Sequence, residues 1–452
     1  MSRSLVLFWV GGGLAFLGLG IVPAAEPETK DAVVVEVESA SETPDEETLK
    51  LIKEFEKEQA EASKSLQKQA ASAPYQPDKT IALKSGEGQI LGFCVLPNGE
   101  LAAISGAGER YGQSLGEAVI NLFGGAAKAA TNRVQWLDAS GAVLRSADLK
   151  FKPKAINAAA DGSVVVVGEG KILRFDGEGK QTAEVESPHM QVAISDREKF
   201  AQEMMERHAE EVASSQEQVE QLIAAVKEIE AKPEDERSKQ EQRQLKQTKQ
   251  IVGIYEQTLK AKQAQTRDQV VEQALARMKE LHRVAVSDKY VYVVANEATG
   301  YGFCVWRMTP DFNEPRKIAS KLSGCCGQMD IQIAGDGVAI AENSRHRVLM
   351  IDAEGKTVTS FGKSNRADIT KGFGGCCNPM NTCLDSAGCL LTSESNGLVK
   401  KYSLEGEFIS IAGVAKVTEG CKNSSIGISP KGDRLYYFDV EKGCILVLAK
   451  GA

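Results

Sequence analysis

The alternation of apolar and polar residues divides the chain into two textures. From about residue 80, and again from 283 onward, short β-branched runs of period two are separated by Gly-containing turns, the pattern of half-buried strands. The segment "GQMDIQIAGDGVAIAENSRHRVLMIDAEGKTVTSFG", 327–362, predicts four strands: "MDIQIA", "GVAIAE", "RVLMIDA" and "TVTSFG". The following segment repeats it as "NPMNTCLDSAGCLLTSESNGLVKKYSLEGEFISIAG". Earlier copies begin near 89, 152 and 283, and a last one near 420 stops after its third strand. The stretch 79–86, "KTIALKSG", resembles the fourth strands and has no copy of its own. It is expected to complete the last copy, so that a ring closes and no sheet edge stays open. A four-stranded unit of about 40 residues in tandem is the signature of a β-propeller, here of six blades.

The second texture occupies 195–282, which is nearly free of Gly and rich in Glu, Lys, Gln and Ala. Val212, Val219, Leu222, Val226 and Ile229, then Val252, Tyr255 and Leu259, recur at heptad spacing on either side of the Pro-containing "AKPEDERSK" at 231–239. The expectation is an inserted α-helical antiparallel coiled-coil hairpin, packed on itself and projecting from the rim. The fold class is thus an all-β six-bladed propeller over 79–194 and 283–452, interrupted by that hairpin. A further insertion at 106–132 carries an apolar patch (Leu115, Val119, Ile120, Leu122, Phe123) suited to capping one face or touching a partner.

The N-terminal residues change the picture of where the chain works. An early Arg, an apolar run from Leu5 to Val22 and the small residues Ala24 and Ala25 form the layout of a signal peptide over 1–25. The run is also long enough to leave an uncleaved membrane anchor open. Residues 26–78 are acidic and read as a partly helical tether. Export to the periplasm or the extracellular space follows, with conditions that favour disulfides over free thiols. A formal net charge of −8 with 26% charged residues argues against a nucleic-acid partner.

The pattern R-V-x-x-x-D-x-x-G at 347–355, followed by "FG", resembles the NHL repeat, as does "NRVQWLDASG" at 132–141. The "FGGCCNP" stretch is similar to a motif of exported bacterial NHL-type propellers. This resemblance implies a six-bladed ring of the gluconolactonase and regucalcin-like superfamily. That superfamily holds calcium-dependent lactonases, peptide-amidating lyases and scaffolds without catalysis, so it specifies a fold and leaves the activity open.

Candidate chemistry concentrates at the channel mouth. Aligning the copies puts Asp330, Asn381 and Ser425 at equivalent inner-strand positions, and Cys94, Asn157, Gln332 and Cys383 one register on. Asp330, Asn381 and Asn157 would offer oxygens to calcium, yet no Glu occupies these positions. Of four histidines, His208 and His282 are assigned to the helical insertion, and His189 and His346 alone cannot build a three-His zinc site. Cys325/Cys326 and Cys376/Cys377 stand 51 residues apart, and Cys421 aligns with the second member of each pair. All five are therefore expected on one rim. Their chemistry stays open among structural disulfides, a soft metal ion bound by thiolates, and a vicinal disulfide acting as a redox switch. Cys304 and Cys444 align at the start of third strands, and Cys389 reads as a small buried residue. The leading function is an exported, non-catalytic scaffold that engages protein partners through the propeller face and hairpin 195–282. A metal or redox protein and a calcium-dependent hydrolase follow, with no cofactor favoured.

Overall fold

The computed structural model describes residues 50, 68–84, 88–107, 131–325, 328–365, 368–375, 377–418 and 424–451. Two compact units divide the chain, Met1–Lys64 and Ser65–Ala452, and every described strand lies in the second. The expected signal peptide, most of the tether, nearly all of the 106–132 insertion, and Cys326, Cys376 and Cys421 lie outside the described residues. Among the described residues no helix is long and apolar enough to cross a membrane.

After β1 (Tyr75–Ile81) the strands come in antiparallel runs of four. The first run is β2–β5 (Gln89–Val95, Leu101–Gly106, Arg133–Leu137, Val143–Asp148), and the second is β6–β9 (Ala155–Ala158, Val164–Gly168, Lys171–Phe175, Gln181–Glu186). Next come β10–β13 (Leu281–Val286, Val291–Asn296, Phe303–Met308, Arg316–Leu322) and β14–β17 (Asp330–Ala334, Gly337–Glu342, Arg347–Ile351, Thr357–Phe361). The run β18–β21 (Asn381–Leu384, Leu390–Ser393, Leu398–Tyr402, Phe408–Val414) precedes β22–β24 (Ile426–Ile428, Arg434–Asp439, Cys444–Lys450). The first strands β2, β6, β10, β14, β18 and β22 neighbour one another in that order, and β22 returns to β2. The molecule is a β-propeller with a helical insertion.

Strand position in each run follows from composition. Second strands such as β7 (VVVVG) and β15 (GVAIAE) are buried throughout, because both faces meet a neighbouring sheet. On β15, Val338 and Ile340 pack toward Ile318, Leu322 and Val305, while Ala339 faces Phe373 and Leu390 of the next sheet. Each large apolar side chain buried this way contributes about 1.5–3 kcal/mol relative to exposure. Fourth strands are polar and alternate with solvent, as in β5, β9 and β17.

The D-x-x-G element of the repeat is a turn with a side-chain brace. Asp352 Oδ1 accepts from the backbone N–H of Glu354 and Lys356, as Asp138 does from Ser140 and Ala142 and Asp176 from Glu178 and Lys180. The Gly at the end of the motif takes a left-handed conformation, φ 89° at Gly355, where a Cβ would collide with the Ile318 carbonyl oxygen.

Strand β1 pairs antiparallel with β24, from Tyr75 opposite Lys450 to Ile81 opposite Ile445, and meets β21 in parallel at Tyr75 and Gly413. The strand begins four residues before the expected 79–86 segment, inside the acidic tether, and ends at Ile81. Pro77 hides it in the sequence, because proline breaks a ladder; here a register shift between Pro77 and Lys79 absorbs it.

The insertion departs from a self-contained hairpin. It comprises α1 (Pro188–Ile194), α2 (Arg197–Glu230), α3 (Lys239–Gln263) and α4 (Arg267–Lys279), with a 3-10 turn at Glu234–Glu236. Helices α2 and α3 pack together around the 231–239 turn. At the other end Phe200, Ala201, Met204, Val270, Val271, Ala274 and Met278 join Val167, Ile172, Val291, Val293, Trp306 and Met308 in one core. The expectation that the arms pack only on each other is therefore corrected, since the base of the insertion completes the face of two sheets. A fourth helix, α4, takes the place of the second arm's root, starting at a Thr266/Gln269 capping box.

Candidate functional site: the channel and its cysteine rim

The first strands enclose a cavity of about 260 Å³ lined by Cys94, Asn157, Asp330, Gln332, Cys383 and Ser425, with Arg283, Lys154 and Thr382. The expected channel residues thus line it, except Asn381, which is buried behind it. Asn157 Nδ2 donates to Gln332 Oε1 at 3.2 Å, linking β6 to β14.

Arg283, on β10, was not among the residues expected here, and it organises the channel. Its Nε donates to Asp330 Oδ1 at 2.9 Å and its Nη2 to the Ser424 carbonyl at 2.9 Å. The other oxygen of Asp330 accepts from Thr382 N at 2.9 Å. Asn381 Nδ2 donates to the same Ser424 carbonyl at 2.8 Å, while its Oδ1 accepts from the hydroxyls of Ser393 and Ser424. Burial pushes the Asp330 carboxyl above its ordinary range, with the Arg283 guanidinium opposing. A buried carboxylate tied on both oxygens holds three sheets in register. Ser424, one residue before the expected Ser425, carries the contacts. The signal for Arg283 was available: a basic residue breaks the apolar run "HRVAV" at the position where the next copy carries Asp330 and the others Gly, Ala, Asn or Ser.

The loops that lead into β14 and β18 are each braced by an acid at the end of the second strand of the same sheet. Ser323 N donates to Glu342 Oε1 at 2.9 Å, and Cys325 N to Asn343 Oδ1 at 2.6 Å. In the next sheet Gly374 N donates to Glu394 Oε2 at 3.2 Å, and Asn378 bridges the Gly374 carbonyl at 2.5 Å and Ser395 N at 2.7 Å. Glu394 is buried in an ion pair with Lys400, whose Nζ also donates to the Gly372 carbonyl at 2.6 Å. Glu169 repeats the device toward Lys152 N at 3.1 Å. An acid directly after a buried apolar strand, as in "VVVVGEG", "AIAENS" and "LTSESN", is the sequence signal for these braces.

Braced in this way, Cys325 and Cys377 face each other, with Cys377 Sγ 2.9 Å from Cys325 Sγ. Cys326, Cys376 and Cys421 lie outside the described residues. Among the described residues no group of three or more His, Cys, Asp or Glu side chains is disposed to hold a metal. Burial raises the thiols of Cys94 and Cys304 to about 12 and that of Cys444 to about 11, and raises Cys383 as well. Protonated and buried, those of Cys304, Cys383 and Cys444 pack as small apolar groups, while the half-buried Cys94 lines the cavity.

The histidines are scattered. His282 is not part of the helical insertion as expected, but lies on β10, with Nε2 3.0 Å from Asn296 Oδ1. The pattern "LHRVAV" starts with a helix-like continuation of α4, which masks the strand. His189 is buried on α1, where Nε2 donates to the Met278 carbonyl at 2.9 Å and the ring lies against Trp306. His208 Nε2 approaches the Lys262 carbonyl within α2 and α3, and His346 caps a 3-10 turn in a left-handed conformation.

No family model matches the chain. A comparison with curated proteins finds no match either. Among solved structures, the chain is similar to the Swd1 β-propeller domain of Myceliophteria thermophila, at 11% identity and TM-score 0.38, over 83% of this chain and 99% of that one. It is similar to regucalcin, a calcium-binding protein of Agrobacterium tumefaciens, at 11% identity and TM-score 0.41, over 83% and 96%. A gluconolactonase of Xanthomonas campestris shows 10% identity and TM-score 0.39, over 84% and 97%. The propeller fold of this chain stands on its own sheets and on the cyclic order of their first strands.

Proposed function

We propose that the chain is an exported, non-catalytic binding or scaffold protein, built on a six-bladed NHL-type ring that β1 closes. Protein partners engage the propeller face and the helical arm. The observation that carries this reading is the state of Asp330, the one carboxylate among the described channel-lining residues. Both its oxygens are committed, to Arg283 and to Thr382 N. A general base or a calcium ligand needs a carboxylate free to turn its lone pairs to the substrate or ion, and this one is held by a neighbouring strand at each oxygen. The arm supplies reach: α2 has 34 residues, about 50 Å at 1.5 Å per residue. Ile254 on α3 is 57% exposed, an apolar side chain presented to solvent near the middle of the arm.

Two measurements test the reading. A photo-reactive residue at Ile254 should give discrete protein adducts in the producing cells, suppressed by an excess of the unlabelled chain. Incubation with a panel of sugar lactones and calcium should give no turnover. Calcium-dependent hydrolysis abolished by Asp330→Asn would replace the scaffold with a hydrolase.

A further inference from the structure

We infer that Cys325 and Cys377 form a modification site, a thiol pair between adjacent sheets that closes to a disulfide by exchange with a low-molecular-weight disulfide such as oxidised glutathione. The two cysteines precede β14 and β18, so they belong to neighbouring sheets, and their sulfurs stand 2.9 Å apart. That separation lies midway between the two chemistries open to a thiol pair, and among the described residues no third donor stands with the two sulfurs, where zinc takes four ligands. A zinc ion holds thiolates at about 2.3 Å each, which at a tetrahedral angle spreads two sulfurs to about 3.8 Å. A disulfide needs about 2.05 Å, an approach of less than about 1 Å from the present 2.9 Å.

Both loops are held in place by groups other than the sulfurs. Asn343 takes Cys325 N, and Ser344 Oγ donates to the Ser323 carbonyl at 2.8 Å. Glu394, Lys400 and Asn378 hold Gly372 and Gly374 from the other side. The pair is thus brought together by the fold, and bond formation requires little rearrangement of backbone.

Exposure sets the order of events. Cys325 is half-buried and Cys377 is buried, so the thiolate of Cys325 meets the small disulfide first. It attacks one sulfur of that reagent, forming a mixed disulfide and expelling one small thiolate. The thiolate of Cys377 then attacks Cys325 Sγ, the second small thiolate leaves, and the protein sulfurs are joined. The two protons lost by the cysteines pass to the two expelled thiolates. The protein pair is oxidised by two electrons and the small disulfide is reduced to two thiols. The bond encloses the segment between 325 and 377, which removes freedom from the unfolded chain.

The test uses the full chain, equilibrated in glutathione buffers of rising oxidised fraction, quenched by alkylation and mapped by mass spectrometry. The expected result is a peptide joined through Cys325 and Cys377, lighter by two hydrogens than its reduced parts. It should grow with the oxidised fraction, vanish with a dithiol, and accompany a higher urea midpoint. Cys325→Ser and Cys377→Ser should each remove the link and the midpoint shift, whereas Cys389→Ser should keep both. If a Ser variant fails to fold, the alkylation map of the unaltered chain decides alone. Links from either cysteine to Cys326, Cys376 or Cys421 in place of this one would overturn the inference. So would full alkylation of both thiols in every buffer, or their protection by a stoichiometric metal.

Discussion

The two ends of the helical insertion both carry apolar helical stripes and are built on different principles. At the base, Phe200, Met204, Val271 and Met278 enter a core with Val291, Val293, Trp306 and Met308 of the propeller. Along the arm, burial comes from α2 and α3 alone, and Leu245 and Leu259 only just leave solvent, at 9% exposure each. The tip is held by exposed ion pairs, Lys249 with Glu230 and Lys232 with Glu241, and by the Ser238/Glu241 capping box. Heptad spacing reports that a stripe is buried; it does not report against what. The base is part of the ring's stability, and the arm is a module mounted on it.

Deletion is the strongest way to break that comparison. Replacing 197–280 by a linker should abolish cooperative unfolding, because Trp306, Met308 and Val293 would face water together. Loop closure itself grows only slowly with length and would not cause the loss. Excising 217–260 and joining the helices by a short turn should leave the thermal midpoint of the propeller unchanged, since Lys262 and Ser215 still meet at 3.2 Å below the cut. Calorimetry on the two deletions decides. Equal damage from both would show that the arm is as integral as its base.

Single side chains sharpen the contrast. Met204→Ala should cost about 2–5 kcal/mol in urea unfolding, the range for a methionine removed from a packed core. Leu245→Ala, at a site that borders solvent, should cost less, roughly 1–2 kcal/mol. A larger loss at Leu245 would reverse the assignment of base and arm.

How much of this could be read from residues alone depended on whether a signal was periodic. The period-two runs and the D-x-x-G turns gave the strands of the propeller, because each repeat buries the same faces and braces the same turn. The helical segment was legible as helix for the same reason. Its docking was not, because Phe200, Met204 and Val271 look like any helical stripe until Trp306 and Met308 are placed beside them. The channel positions Asp330, Asn157 and Gln332 followed from aligning the repeats. Arg283 escaped, since it occurs in one copy only and its partners come from two other sheets. Strand β1 was displaced by four residues because Pro77 argued against a ladder that a bulge accommodates.

The base also contains a buried titrating group. His189 is buried against Trp306, and burial lowers it to about 4 from an ordinary value of 6.5, with Lys317 acting in the same direction and the bond to the Met278 carbonyl opposing. The neutral ring is favoured by the fold, so the unfolded chain binds the proton more readily. Stability is complete above pH 6.5 and is lost as pH falls from 6.5 toward 4, by roughly 3 kcal/mol if the whole shift is expressed. Urea unfolding measured across that window should show a smaller pH dependence in His189→Gln. His282, also lowered to about 4 by burial, adds a second proton of the same sign. An unchanged slope in His189→Gln would mean that His189 is protonated in the folded protein.

The smallest effect belongs to the tip, where the same linkage acts on an exposed acid. Glu241 is lowered to about 2 from 4.5, first by Lys232, whose Nζ lies 2.5 Å from Oε1, and then by the backbone N–H and hydroxyl of Ser238. A depressed carboxyl stabilises the folded form above its unfolded value and loses that contribution as pH falls through its folded one. The window is therefore pH 4.5 to 2, below most of the window of His189. Because the pair is solvent-exposed, its loss should fray the first turn of α3 and leave the propeller unaffected. Amide exchange at Glu241 and Gln242 should accelerate as pH falls through that range, after correction for the intrinsic rate. Glu241→Gln should show the faster exchange already at neutral pH, with the thermal midpoint of the ring unmoved. A fall in that midpoint would mean that tip and base unfold as one unit, and the distinction between module and mount would fail.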